Sequence, residues 1–532
     1  MRVGNRLLGT TAMIACLSVA GAVYAGPVTI INTEVDVIPN GASAETQQNS
    51  EPSIAVNPNN QSQLISGAFT GIFSAAPVNL TTPYWISANG GTTWSSFGSL
   101  QTLDKSLAWQ AGDANPLTAT LHGISTAAPF NNDIQTFGST NGTSFNQTKN
   151  TFSPPAALDQ PWIRTGPSSV GPAQNVYVAY NNLSNFGTAA GQGHTASVNV
   201  STNDGTAYTT KVIETVTPGA GQDSPAVREA VNGGTVYAMF TRWNTTVSTS
   251  TQGTRFGSDV IVVKSTDFGN TFSAGTRVNA SLNSVTAPFT ACPMTGCVLN
   301  TPLTLGAERV GSDNAIAVSR TDVNRIVVAY VDSPALGQMQ VVVSESTNGG
   351  TSFTEKFRTP LATRSAEPAV TILDDGQIVL LYNNYNPQTD KLSQHLVATS
   401  DHFASTTDTV LATENNDTSG GPAVQFSPYV GDFFDLTSIG DTFYGIFSAS
   451  NADNGTLASY LFNSPPLFQR CFTGTPGTGT FALCDNLGGT PGFSIDPIFF
   501  SGTSFASVPE PGSLALLGTS LLGLAALRRR RK

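Results

Sequence analysis

The chain has 532 residues, and 24 Lys and Arg against 35 Asp and Glu give it a formal net charge of −11. That acidic balance argues against nucleic acid and anionic membrane surfaces as partners, because both demand a basic face. Charged residues are only 11% of the chain, so solubility rests on abundant Asn, Ser, Thr and Gly, a surface suited to an exported β-protein that meets sugars.

Residues 1–25 carry Arg2 and Arg6, then an apolar stretch from about Leu7 to Val23, then Val23-Tyr24-Ala25 before Gly26. This order is that of a secretory signal peptide. Without it and the tail at 508–532, Lys and Arg fall by two and five to 17, Asp and Glu fall by one to 34, and the mature chain is near −17. Cys16 leaves with the signal peptide, so Cys292, Cys297, Cys471 and Cys484 remain. An even count in an exported chain, at these spacings, reads as two local disulfides, Cys292 with Cys297 and Cys471 with Cys484. Neither pair has the CxxC spacing of a zinc site, and no His lies close by.

From Val28 onward the chain is a succession of short β-branched and aromatic runs bounded by Gly, Asn, Asp and Pro. Examples are VYVAY (Val176 to Tyr180), VYAMF (Val236 to Phe240), IVVAY (Ile326 to Tyr330) and IVLLY (Ile378 to Tyr382). They read as strands, and the mature chain shows no convincing helical period. Each unit opens on an acidic residue, in most copies followed by proline and a strand: Glu51, Asp113, Asp159, Asp223, Asp313 and Glu367, with Asp432 in a divergent last copy. Further on in the units comes Ser-x-Asp/Asn-x-Gly-x-Thr/Ser/Ala-aromatic. It stands at Ser87 to Trp94, Ser201 to Tyr208, Ser265 to Phe272 and Ser346 to Phe353, with a copy one residue short at Ser139 to Phe145 and degenerate candidates near Asp401 and Asp453. The third residue can accept bonds from nearby backbone amides to close a turn, Gly takes positive φ, and the aromatic packs the turn onto the sheet. Such a turn is a hairpin staple without a catalytic group. Units of four antiparallel strands, repeated, predict the blades of a β-propeller.

These turns, which are Asp boxes, together with EPSIAVNPNN and DQPWI, resemble the sialidase-type propellers with bacterial neuraminidase repeats, over roughly residues 45–465. The resemblance implies an all-β fold of six four-stranded antiparallel blades. The seven unit starts leave seven blades as the alternative. The propeller is expected over 26–465, with the strand at Val28 to Ile38 as the candidate to complete the last blade and 466–507, rich in Gly, Thr, Pro and Phe, as a capping segment and linker.

Sialidases that resemble this fold hold the substrate carboxylate with three arginines and use a Tyr–Glu pair as nucleophile and an Asp as acid/base catalyst. The first of those arginines lies in an Arg-Ile-Pro motif in the first blade, whereas here no Arg occurs between Gly26 and Ile163, and none from Ser365 to Gln469. Arg164, Arg228, Arg242, Arg255, Arg309 and Arg364 fall on middle blades. The residues left as catalytic candidates are Tyr429, Asp432, Glu367 and Arg364, and those for substrate binding are Asp159, Trp162, Arg164 and Trp243. The alternative for the acidic strand starts is that they cap turns through backbone bonds. If several carboxylates converge at the channel mouth, Asp159, Asp223 and Glu367 are the candidates to hold Ca²⁺ through oxygen ligands; otherwise no cofactor is implied. No HExxH and no GxSxG is present. The expected function is glycan or extracellular polysaccharide binding without sialidase chemistry. The alternative is a glycoside hydrolase of exo-α-sialidase type, or a relative acting on another sugar.

The chain ends on Pro509-Glu510-Pro511, fourteen uncharged residues from Leu514 to Leu527, and five basic residues. This tail, 508–532, resembles the PEP-CTERM sorting signal. Its apolar stretch is shorter than the ~20 residues of a stable span, which suits a transient inner-membrane anchor. The resemblance implies a Gram-negative source, processing by an exosortase, and delivery to the envelope or extracellular matrix.

Overall fold

The structure is a computed structural model. It describes residues 28–504 apart from 38–48, 71–81, 112–115, 124–131, 169–172, 183–195, 215–225, 250–252, 279–313, 333–337, 416–430, 451–470, 475–480, 485–494 and the single positions 103, 157, 390 and 432. All described residues belong to one unit, Pro27–Phe505. Both sorting segments, Cys292, Cys297, Asp113, Asp223, Asp313, Tyr429, Asp432 and Asp453 lie outside the described residues.

The strands form seven four-stranded antiparallel sheets. Blade 1 is β2 (Asn49–Val56), β3 (Leu64–Thr70), β4 (Thr82–Ser87) and β5 (Ser95–Leu100); blade 2 is β6 (Lys105–Trp109), β7 (Pro116–Gly123), β8 (Asn132–Gly138) and β9 (Gln147–Ala156). Blade 3 is β10 (Leu158–Pro167), β11 (Gln174–Asn182), β12 (Ala196–Ser201) and β13 (Thr209–Val212); blade 4 is β14 (Arg228–Asn232), β15 (Thr235–Thr249), β16 (Gly253–Ser265) and β17 (Thr276–Arg277). Blade 5 is β18 (Asn314–Val318), β19 (Ile326–Asp332), β20 (Gln340–Ser346) and β21 (Thr354–Arg358); blade 6 is β22 (Arg364–Ile372), β23 (Ile378–Asn386), β24 (Lys391–Thr399) and β25 (Thr407–Asn415). The seventh blade runs β26 (Asp435–Ile439), β27 (Thr442–Ser450), β30 (Ile495–Ser504) and β1 (Val28–Asp36). The first strand of each blade touches that of the next all the way round, from β2 to β26 and back to β2, so these strands line the axis.

The count is therefore seven, the alternative above, and not six. Two further expectations change with it. The stretch after Asp113 is the second strand of blade 2, and the inner strand is β6, which opens on Lys105. The segment 466–507 supplies β30 to the last blade; before it, β28 (Cys471–Gly474) and β29 (Phe481–Cys484) form a hairpin that places Cys471 opposite Cys484.

The apolar runs are apolar at every position because both of their faces are covered. On β11, Val176, Val178 and Tyr180 pack with blade 2, while Tyr177 and Ala179 pack with blade 4. On β19, Ile326, Val328 and Tyr330 face blade 4, and Val327, Ala329 and Val331 face blade 6. Each pair of neighbouring blades has its own buried cluster, so the core is a ring of seven interfaces.

The repeated turn joins the third and fourth strands of each of the first six blades. In blade 1, Ser87 Oγ accepts the Gly91 N–H at 2.9 Å and Asn89 Oδ1 that of Thr93 at 3.0 Å. The same pair of bonds recurs at Ser201 and Asn203, at Ser265 and Asp267, and at Ser346 and Asn348. The degenerate copy near Asp401 makes it too, with Thr399 in the serine's place. There Phe403 takes the glycine position at φ 66°, buried and stacked on Phe357 at 5.2 Å. The seventh blade has no such turn because its outer two strands come from opposite ends of the chain.

Closure rests on those two strands. Phe499 of β30 lies beneath the blade 1 turn, so close that a Cβ at Gly91 would come within 2.0 Å of its ring, and it meets Trp94 edge-on at 5.4 Å. Asn32 of β1 donates to Gly90 O at 3.0 Å, and Tyr444 of β27 donates to Gln61 at 2.8 Å. First and last blades are thus locked by side chains, and the two ends of the chain by the sheet of the seventh blade.

Candidate functional site

The acid-Pro starts have a specific backbone geometry. In blades 1, 3 and 6 the inner strand is broken by a bulge between residues 50 and 53, 159 and 162, and 366 and 369. The residue before each proline sits in the left-handed region: Glu51 at φ 51°, Gln160 at 48° and Glu367 at 51°. A following proline disfavours the right-handed helical region for the residue before it and has no N–H to give the ladder, so the interruption falls where the ladder loses least. Left-handed backbone in non-glycine residues costs about 1–3 kcal/mol each and persists only where the surroundings enforce it. All three side chains are buried. Blade 3 uses Gln160, one residue beyond the Asp159 expected to fill this role; Asp159 instead accepts the Gln160 N–H at 3.0 Å.

Around these bulges, side chains from blades 1, 2, 3, 4 and 7 meet. Lys105 Nζ donates to the Glu51 carbonyl and lies 5.6 Å from the Phe433 ring. Gly431 passes directly over Glu51, where a Cβ would approach the Glu51 nitrogen to 2.7 Å. Arg228, fully buried, donates to Gln160 Oε1 at 3.1 Å with its guanidinium 4.2 Å from Trp162 and 5.1 Å from Phe433. Arg164 lies 4.6 Å from the same Trp162 ring and 3.6 Å from Asp435. Blades 3 and 7 are three places apart in the ring, so the contacts of Trp162 with Phe433 and of Arg164 with Asp435 run across the axis. The axis is packed at this level.

Inner strands are also clasped to one another. Asp435 Oδ2 accepts the Ile54 N–H at 3.1 Å, Ser53 Oγ that of Leu107 at 3.1 Å, and Ser106 Oγ that of Ile163 at 3.1 Å. Each acceptor belongs to one blade and each donor to the next.

Burial pulls the Lys105 ammonium down to about 8, against the pull of Glu51, Asp104 and Asp435. Burial also pushes the Glu229 carboxyl well above the usual carboxylate range, with Arg164 opposing. For Lys105 the folded value lies below the ordinary 10.5, so between the two the unfolded chain holds a proton that the folded chain has released. Stability from this group therefore rises with pH over that window. Urea midpoints at about pH 7 and pH 9.5 are expected to show that rise in the native chain and its loss in Lys105→Met; an identical pH response in the two proteins would contradict it. The buried tyrosines, Tyr84 and Tyr177 among them, are shifted upward by burial and oppose stability only above their ordinary value of 10.0.

Of the other candidates, Glu367 accepts Asn383 Nδ2 at 2.9 Å within blade 6, and half-buried Arg364 lies 5.7 Å from the Tyr385 ring, its pKa lowered by burial. Asp159 and Glu367 stand on blades 3 and 6, and among the described residues no three His, Cys, Asp or Glu form a metal-binding group. Trp243 lies on β15 opposite Ser258, its side chain outside the description. Reading for the residue before proline, in place of the nearest acid, finds Gln160. No comparable signal marks Phe433 or Asp435, which ring closure brings to the axis, or Glu229, whose partner Arg164 stands on the neighbouring blade.

Residues 507–531 match the PEP-CTERM protein-sorting motif. No curated protein matches the chain by sequence. Solved structures of similar fold include a protein of unknown function from Dyadobacter fermentans, at 11% identity over 89% of this chain and 98% of that one with a TM-score of 0.42. Another is the GH93 α-L-arabinofuranosidase of Fusarium graminearum with arabinobiose, at 11% over 78% and 92% with 0.39. A leech intramolecular trans-sialidase complexed with 2,7-anhydro-Neu5Ac matches at 11% over 67% and 68% with 0.32. Likeness at such identities concerns fold alone. The chain is a seven-bladed β-propeller bearing a C-terminal PEP-CTERM motif, which implies export, exosortase processing and surface sorting in Gram-negative bacteria.

Proposed function

We propose that this protein is delivered to the cell envelope or extracellular matrix and there binds glycans or extracellular polysaccharide, without sialidase chemistry. The observation that carries the second half is the engagement of the axial cations. Arg228 is held between Trp162 and Phe433 and bound to Gln160, Arg164 faces Asp435, and Lys105 faces Glu51. A substrate carboxylate needs guanidinium forks turned outward, and these groups are turned on one another. The glycan half is supported by the sorting motif and by a surface of neutral polar side chains.

The test pairs two measurements on the purified mature protein. A glycan array is expected to show binding, and a fluorogenic sialic-acid aryl glycoside is expected to be turned over at background rate. Turnover abolished by Glu51→Gln or Glu367→Gln would replace the binding reading with a hydrolytic one.

A further inference from the structure

Away from the axis, blade 6 carries a second arrangement of polar side chains. Ser393 and His395 are two residues apart on β24 and so share one face of the sheet, and Asp408 stands on the adjoining strand β25. Ser393 Oγ lies 2.9 Å from His395 Nε2, while the Asp408 carboxylate approaches Nδ1 with its oxygens at 2.9 and 3.1 Å. Buried Tyr382, the cross-strand partner of His395, stacks on the imidazole with centroids 5.2 Å apart and planes 19° apart, which fixes the ring. Tyr382 belongs to the buried cluster shared with blade 5, so this face of blade 6 is turned toward blade 5. The His395 side chain is 14% exposed and that of Asp408 46%, so the trio is reachable from solvent.

The order of the three groups matters. A carboxylate on Nδ1 holds the proton there and leaves the Nε2 lone pair directed at the serine hydroxyl, as hydroxyl activation requires. A second acceptor, the Asn384 carbonyl, lies 3.3 Å from Ser393 Oγ and is the longer of the two contacts. This constellation is recognised by geometry and by the role of each group, and needs no GxSxG turn.

We propose that Ser393 is a nucleophile, His395 its general base and Asp408 the positioning residue of a second site, separate from the axial one, that transfers acyl groups from small carboxylic esters to water. In the first step the Oγ–acyl bond forms and the ester C–O bond breaks, the hydroxyl proton passing to Nε2 and on to the leaving alcohol. Water then repeats the step, releasing the acid and restoring the serine. The proposal stands whether or not the propeller binds glycans.

The experiment is labelling of the mature protein with a fluorophosphonate probe, followed by peptide mapping. The Oγ–P bond forms as the P–F bond breaks, fluoride leaves, and the proton passes to Nε2 and then to solvent. An adduct on Ser393 is expected, absent in Ser393→Ala and formed about 100-fold more slowly in His395→Gln. Asp408→Asn, a change at an exposed side chain, is expected to slow labelling about 10-fold with the urea midpoint unchanged, and Asp408→Glu to restore part of that rate; a merely structural aspartate would lower the urea midpoint and leave the labelling rate of the folded protein as it was. Slow hydrolysis of p-nitrophenyl acetate is expected to follow the same order. No adduct on Ser393, or an adduct whose rate is unaltered in His395→Gln or in Asp408→Asn, would overturn the proposal.

Discussion

A chain ending at Pro465 is expected not to fold cooperatively, and Phe499→Ala in the full chain is expected to cost about 3–5 kcal/mol. The reason is topological. β30 lies between β27 and β1, so its loss strips the N-terminal strand of its pairing partner and leaves β27 with a bare edge at the point where the ring must close. Phe499 contributes to the interface of blades 7 and 1 together with Trp85, Trp94 and Tyr444, and is itself fully buried. Urea unfolding followed by tryptophan fluorescence measures both effects, since Trp85 and Trp94 sit in the interface concerned. A truncated chain with a native-like cooperative transition would refute this account of closure.

Trp162→Ala is expected to destabilise the protein by about 3–5 kcal/mol. The ring is only 6% exposed and is taken up by two guanidinium groups and the edge of Phe433 at 5.4 Å. Arg228→Met keeps most of the volume and removes the cation from two aromatic rings and the bond to Gln160, so its cost is smaller, about 2 kcal/mol. The order of the two effects separates a packed axial plug from an open sugar platform. If Trp162→Ala instead left the unfolding midpoint unchanged while abolishing glycan binding, Trp162 would be a binding residue and the axis would be open at this level.

The blade number illustrates how a correct signal can be overruled. Seven unit starts are legible, from Glu51 to the divergent copy at Asp432, although Asp113 precedes the second strand of its blade, while the turn has six copies among the described residues once the Thr399 variant is counted. The two differ because a turn between third and fourth strands cannot exist in a blade whose third strand is β30 and whose fourth is β1. Phe403 makes the sixth copy, near Asp401, degenerate by occupying a left-handed position that glycine usually takes. Among the strand starts, Asp159 drew attention as the nearest acid, but the bulge selects the residue next to proline, whatever its charge.

Local chemistry alone determined the strands, the turns, the all-β class and the sorting motif, because each depends on a period, a proline or glycine conformation, or a short linear order of residues. Tertiary structure alone decided that Ile495–Ser504 belongs to the last blade, that Trp162 and Arg164 meet Phe433 and Asp435 across the axis, and that Ser393, His395 and Asp408 align. Those outcomes rest on ring closure and strand register, which bring together residues hundreds of positions apart or on adjoining strands, and neither carries a mark in the linear pattern.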